Sequence, residues 1–241
     1  MTDIKDQNPQ IHLIQPIIQF LNQGDINKAI DSAEGLLNEF PDSSLLFNIR
    51  GACYKAQNNL EKAIESFKKA CAINPGFYEA FYNLGVIQKQ LGHIEQSIES
   101  YQKAIDIKPA YPDAHNNLGN IFLQLRQFEE AINHFEWATA FKPDFFEAFN
   151  NLGLAQRELD QISKSVDNFK KAIYLKPEYT QAYFNLGQAL KDLGQTKDAI
   201  QNYRNLLKVK PDFDQAYLSL GVAFKELGQI DNAIINFELS I

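Results

Sequence analysis

The chain has 241 residues, 45% hydrophobic and 22% charged, with a formal net charge of −7. That balance belongs to a folded soluble protein and excludes general disorder. An acidic surplus argues against a nucleic-acid footprint, which needs a basic face, and no apolar run reaches the length of a membrane span, so membrane insertion is not expected.

Along the chain one clock dominates. Prolines stand at 41, 75, 109, 143, 177 and 211, and glycines at 51, 85, 119, 153, 187 and 221, each series spaced by 34 residues. A fixed period of this length signals a stacked array of helical units. Repeats are numbered here so that the proline falls at position 32. The elements in chain order are then a loosely ordered 1–9, a divergent capping repeat 10–43, five regular repeats over 44–213, and an incomplete seventh, 214–241.

Each repeat reads as two helices. The first covers about positions 1–14, and a turn near position 15 carries Gly24, Gly92, Gly194 or Gly228. The second ends before the proline, which a helix interior does not absorb. Lys108, Lys142, Lys176 and Lys210 precede that proline, where a cation suits the negative end of a helix. Glycine inside a helix costs roughly 1 kcal/mol against alanine. Its return at position 8 predicts a close helix crossing there, with the small residue at position 20 as the expected counterpart.

Leu-Gly at positions 7–8, Ala at 20 and 27, an aromatic at 24 and Pro at 32 resemble the tetratricopeptide repeat family over about residues 10–241. The resemblance implies an all-α fold, a right-handed superhelical solenoid of antiparallel helix pairs, acting as a scaffold for protein–protein interaction. Repeat one departs from it, with Pro16 and Ile17 in place of Leu-Gly; array ends are often atypical in this way.

Helical geometry, at about 100° per residue, puts positions 3, 4, 7, 8, 10, 11 and 14 of the first helix on a core side. Positions 2, 5, 6, 9, 12 and 13 form an open side. There "NLG" recurs, placing Asn83, Asn117, Asn151 and Asn185 at position 6. Glu, Lys or Gln would suit an idle helix surface better. A primary amide offers donors and an acceptor on a short stem, and so can bracket the N–H and C=O of an extended peptide. The same register is similar to that of the O-linked N-acetylglucosamine transferases, and this resemblance implies that the four asparagines hold substrate polypeptide. Asn116, Asn150 and Asn120 thicken the amide cluster, and Tyr82 and Phe184 are expected to add apolar contacts, with Val86, Leu218 and Val222. The expected partner is therefore a protein or peptide in extended conformation.

Acids at position 2 (Glu79, Asp113, Glu147) and bases at position 12 (Lys55, Lys89, Arg157, Lys191, Lys225) give the groove acidic and basic rims or, the favoured reading, follow the helix dipole. The carboxylate clamp of chaperone-tail adaptors is missing, since positions 2 and 6 carry no base and Asn120 alone fits it. His12, His93, His115 and His134 fall in no catalytic or metal-binding spacing, and His115 takes a core aromatic position. Cys53 and Cys71 indicate neither a disulfide framework nor a zinc site. No enzyme activity and no cofactor are expected. The opening MTDIKDQNPQ lacks the features of a secretion signal, so the expected location is cytoplasmic. Ile230, Ile234, Phe237 and Ile241 would leave an apolar stripe uncovered. That suggests either a longer polypeptide, such as the recognition arm of a transferase, or self-association through this end.

Overall fold

The computed structural model describes residues 7–241. Among them are fourteen α-helices and no strand: α1 Ile11–Gln23, α2 Ile26–Glu39, α3 Ser44–Ala56, α4 Leu60–Ile73, α5 Tyr78–Gln90, α6 Ile94–Ile107, α7 Pro112–Gln124, α8 Phe128–Phe141, α9 Phe146–Glu158, α10 Ile162–Leu175, α11 Thr180–Asp192, α12 Thr196–Val209, α13 Asp214–Glu226 and α14 Ile230–Glu238. The all-α class and the two-helix repeat follow directly. The chain forms two compact blocks, one ending at Ala114 and the other starting at His115. No helix of the described residues is long and apolar enough to cross a membrane.

The interhelix turn depends on one backbone state. Position 15 lies at positive φ in every repeat, whether it is glycine (Gly24, Gly92, Gly194, Gly228) or Asn58, Arg126 or Asp160. The left-handed residue ends the first helix, and the next N–H returns to a carbonyl five residues back, as from Asn59 to Tyr54 and from His93 to Gln88. Glycine adopts this state without strain, whereas Arg126 adopts it at a cost.

The position-8 glycines do mark a close approach, but the partner differs from expectation. A Cβ on Gly51, Gly85, Gly119, Gly153, Gly187 or Gly221 would strike the ring of Phe67, Tyr101, Phe135, Phe169, Tyr203 or Phe237, each at position 24 of the same repeat. The second helix lays an aromatic face flat on the bare backbone of the first, so the glycine makes room for a ring. Position 20 has a lesser part: Ser97 Oγ donates to the Gly85 carbonyl at 2.8 Å. Repeat one exchanges the two volumes, with Ile17 at position 8 and Ala33 at position 24, both fully buried. That exchange explains how it dispenses with Leu-Gly. Phe237 packs on Gly221, and only Ile230, Ile234 and Ile241 of the expected stripe are exposed, with Ile235 and Leu239 beside them.

Of the segment expected to be loosely ordered, 1–6 lies outside the described residues. Residues 7–9 are tied to the start of α3: Gln7 donates its N–H to the Asp42 carbonyl at 3.1 Å. Asn8 Oδ1 accepts from Ser43 Oγ at 2.7 Å and from the Leu45 N–H at 3.2 Å, and Pro9 is buried.

Candidate functional site

The asparagines of the first helices hydrogen-bond one another across repeats, under a simple rule. The position-6 amide of one repeat donates to the position-5 amide of the repeat before it, 35 residues earlier. In the N-terminal block Asn83 Nδ2 donates to Asn48 Oδ1 at 3.0 Å. In the C-terminal block Asn151 Nδ2 donates to Asn116 Oδ1 at 3.2 Å and to Asn120 Oδ1 at 3.0 Å. Asn185 Nδ2 donates to Asn150 Oδ1 at 2.8 Å. Asn150 Nδ2 donates to Asn151 Oδ1 at 3.3 Å, and Gln181 Nε2 to Asn185 Oδ1 at 3.4 Å. One unbroken amide chain therefore runs across α7, α9 and α11.

Burial corrects the expectation that positions 5 and 6 stand open throughout. Asn150 and Asn185 are only 2% and 5% exposed, because the facing amide of the neighbouring first helix covers them. Asn83, Asn116, Asn117, Asn120 and Asn151 are half-buried. Both Asn151 N–H groups are used within the network. Asn83 keeps one N–H and its carbonyl oxygen, and Asn116 and Asn120, which accept through Oδ1, keep their NH2 groups. The internal bonds thus fix which end of each amide remains available.

The aromatic members are packed as well. Tyr82 lies 5.7 Å from the Tyr101 ring and 5.0 Å from Tyr111; Phe184 lies 6.3 Å from Tyr203 and 5.7 Å from Phe213. Both are half-buried. Leu218 and Val222 are exposed.

Charges at position 12 do more than follow the dipole. Arg157 pairs with Asp192, and Lys191 Nζ lies 2.8 Å from Glu226 Oε1, so each cation meets the position-13 acid of the following repeat. The lysines before the prolines gain an aromatic partner: Lys108 lies 4.3 Å from the Tyr78 ring centre, Lys142 4.3 Å from Phe145 and Lys176 4.5 Å from Phe146.

His115 is buried, as its core position requires, with Nδ1 3.1 Å from Nδ1 of His134. One imidazole must donate and the other accept. Burial, and secondarily His115, push the His134 pKa down to about 4. Trp137 is more exposed than a packing residue, at 54%, and stacks on Phe141 at 5.3 Å. Burial raises the thiol pKa of Cys53 to about 11 and of Cys71 to about 12, which leaves both protonated at neutral pH. Among the described residues no group of three or more His, Cys, Asp or Glu is placed to hold a metal ion.

The pairing rule has a signal in the sequence that helical periodicity alone does not reveal. Every repeat with Asn at position 5 (Asn48, Asn116, Asn150) is followed by one with Asn at position 6 (Asn83, Asn151, Asn185). Such a correlation between neighbouring repeats points to contact.

Comparison with known proteins places the chain. A family profile described as TPR repeat matches residues 51–92, 89–126, 119–160, 156–194 and 187–228, and one described as tetratricopeptide repeat matches 18–43. No curated protein matches the chain. Among solved structures, the C-terminal part of a TPR repeat-containing protein from Cytophaga hutchinsonii is 20% identical, with TM-score 0.76, covering 94% of this chain and 93% of that one. A MamA crystal structure is 26% identical, with TM-score 0.63, over 65% of this chain and 92% of its own. YrrB, described as a TPR protein with an unusual peptide-binding site, is 21% identical, with TM-score 0.66, over 74% of this chain and 92% of its own. With its helix pairs, its glycine–aromatic contacts and its profile matches along most of its length, the chain belongs to the tetratricopeptide repeat family.

Proposed function

We propose that this protein is a non-enzymatic interaction scaffold whose first-helix face binds an extended segment of a partner protein through side-chain amides. The observation that carries the reading is the amide network. Asparagines bonded from repeat to repeat have their orientation set before any ligand arrives, so little side-chain entropy is lost on binding. The amide capacity left over is one N–H and the carbonyl of Asn83 in the N-terminal block and, separately, the NH2 groups of Asn116 and Asn120 in the C-terminal block, each suited to the polar groups of an extended main chain. Asn117 and Asn151 belong to the same row. Asn150 and Asn185 support it from beneath, and Tyr82 in the N-terminal block and Phe184 in the C-terminal block are half-buried rings on the same helix face. YrrB shares the fold and is described as having a peptide-binding site, and the asparagine register is similar to that of transferases that hold polypeptide.

The test is selection of a random-peptide phage library on the full chain, compared with Asn83→Ala/Asn120→Ala. The reading expects a selectable pool whose retention falls about tenfold or more on the variant, from loss of two hydrogen bonds of about 1 kcal/mol each. Equal retention on a variant with an unchanged circular-dichroism spectrum contradicts it.

A further inference from the structure

The two blocks treat the position-12 cation differently, and the difference bears on which peptide is held; the inference rests on the peptide-binding reading. In the C-terminal block Arg157 and Lys191 are neutralised by an acid at position 13 of the next repeat, Asp192 and Glu226, while Lys225 of the last repeat has no ion pair among the described residues. The N-terminal block keeps the cations and lacks the acids. Lys55 and Lys89 occupy the last turns of α3 and α5, while position 13 carries Ala56 and Gln90 and, in the following repeat, Gln124. Neither lysine has an ion pair among the described residues. Neither faces an aromatic ring, whereas Lys62, Lys103 and Lys108 of the same block do.

Placement puts this unspent charge beside the amides. Two helical turns separate Lys55 from Asn48 and Lys89 from Tyr82, so each lysine shares a helix stripe with a position-5 residue. Helices α3 and α5 are in direct contact, and Asn83 of α5 bonds Asn48 of α3 at 3.0 Å. Lys89 is half-buried, and desolvation alone holds its pKa below the ordinary value, with no carboxylate acting on it. A helix C-terminus offers only about half a negative charge, so a full anion is still wanted.

We propose that Lys55 and Lys89 form a cationic subsite on the N-terminal block that takes carboxylate side chains of an acidic, extended peptide lying along the Asn48–Asn83 amide pair. Peptides that present Asp or Glu toward α3 and α5 are preferred over neutral ones, and the preference weakens as salt rises.

Phage selection on the full chain, wild type against Lys55→Gln/Lys89→Gln, tests this. The wild-type pool is expected to be enriched in Asp and Glu over the variant pool. Retention of the wild-type pool is expected to drop about tenfold on the variant at low salt, the combined effect of two partly exposed ion pairs, and by less at high salt. Pools of equal acidic content, or equal retention, overturn the lysine subsite while leaving peptide binding in place. Failure of the wild type to select a pool overturns both.

Discussion

Asn150 is the interior link of the amide chain, and removing it exposes what the network contributes to the fold. Its Oδ1 accepts from Asn185 at 2.8 Å and its Nδ2 donates to Asn151 at 3.3 Å, at a site 2% exposed. Asn150→Ala leaves the buried Asn185 N–H without an acceptor, a penalty of about 1–3 kcal/mol. Alanine returns roughly 0.5 kcal/mol through its better helix propensity, so a net loss of about 0.5–2.5 kcal/mol is expected. Asn185→Ala strips the same bond from the other side and costs about the same. The double variant removes both partners together, so its loss falls short of the sum of the two by about 1 kcal/mol or more. Urea unfolding followed by far-UV circular dichroism measures all four corners of the cycle. Singles that each lose less than about 0.5 kcal/mol, or losses that simply add, refute the network as a structural element.

Other contacts give sharp expectations. Gly187→Ala places a Cβ 2.2 Å from Tyr203 Cε1, so overpacking of about 1–3 kcal/mol exceeds the roughly 1 kcal/mol helix gain, and the melting temperature falls. An equal or higher melting temperature counts against the ring-on-backbone packing. Arg126→Gly relieves a left-handed residue at φ 60° and is expected to stabilise by about 0.5–1 kcal/mol, read as a shift of the urea midpoint. His134 titrates near 6.5 when unfolded and at about 4 in the fold. Between those values the unfolded chain binds more protons, so its contribution is whole above about pH 6.5. It is lost progressively toward about pH 4, by roughly 3 kcal/mol. Melting curves from neutral to acid pH are expected to lose this slope in His134→Asn, the residue type of Asn168 and Asn202 at the same position; an unchanged slope contradicts the assignment.

The helix pairs, their turns and their proline stops were legible because a 34-residue clock repeats the same physical requirement six times over. The glycine reading was half right: periodicity shows that room is needed at position 8, yet nothing in a single helix says that a ring from position 24 fills it. The open face was misjudged at Asn150 and Asn185 because a helical wheel treats each helix alone. Their burial comes from the first helices of adjacent repeats, a contact that single-helix periodicity does not encode. Lys55 and Arg157 look alike at position 12, and only the neighbouring repeat separates them, through Gln90 in one case and Asp192 in the other.

The amides themselves give the most direct reading of the central claim. In a nitrogen-15 spectrum of the full chain, titration with a selected peptide is expected to shift the side-chain NH2 resonances of Asn83 in the N-terminal block or of Asn116 and Asn120 in the C-terminal block, which retain hydrogen-bonding capacity. Those of Asn38, Asn133 and Asn232, exposed on second helices, stay in place. Binding that moves the second-helix amides and leaves the first-helix row untouched contradicts the account.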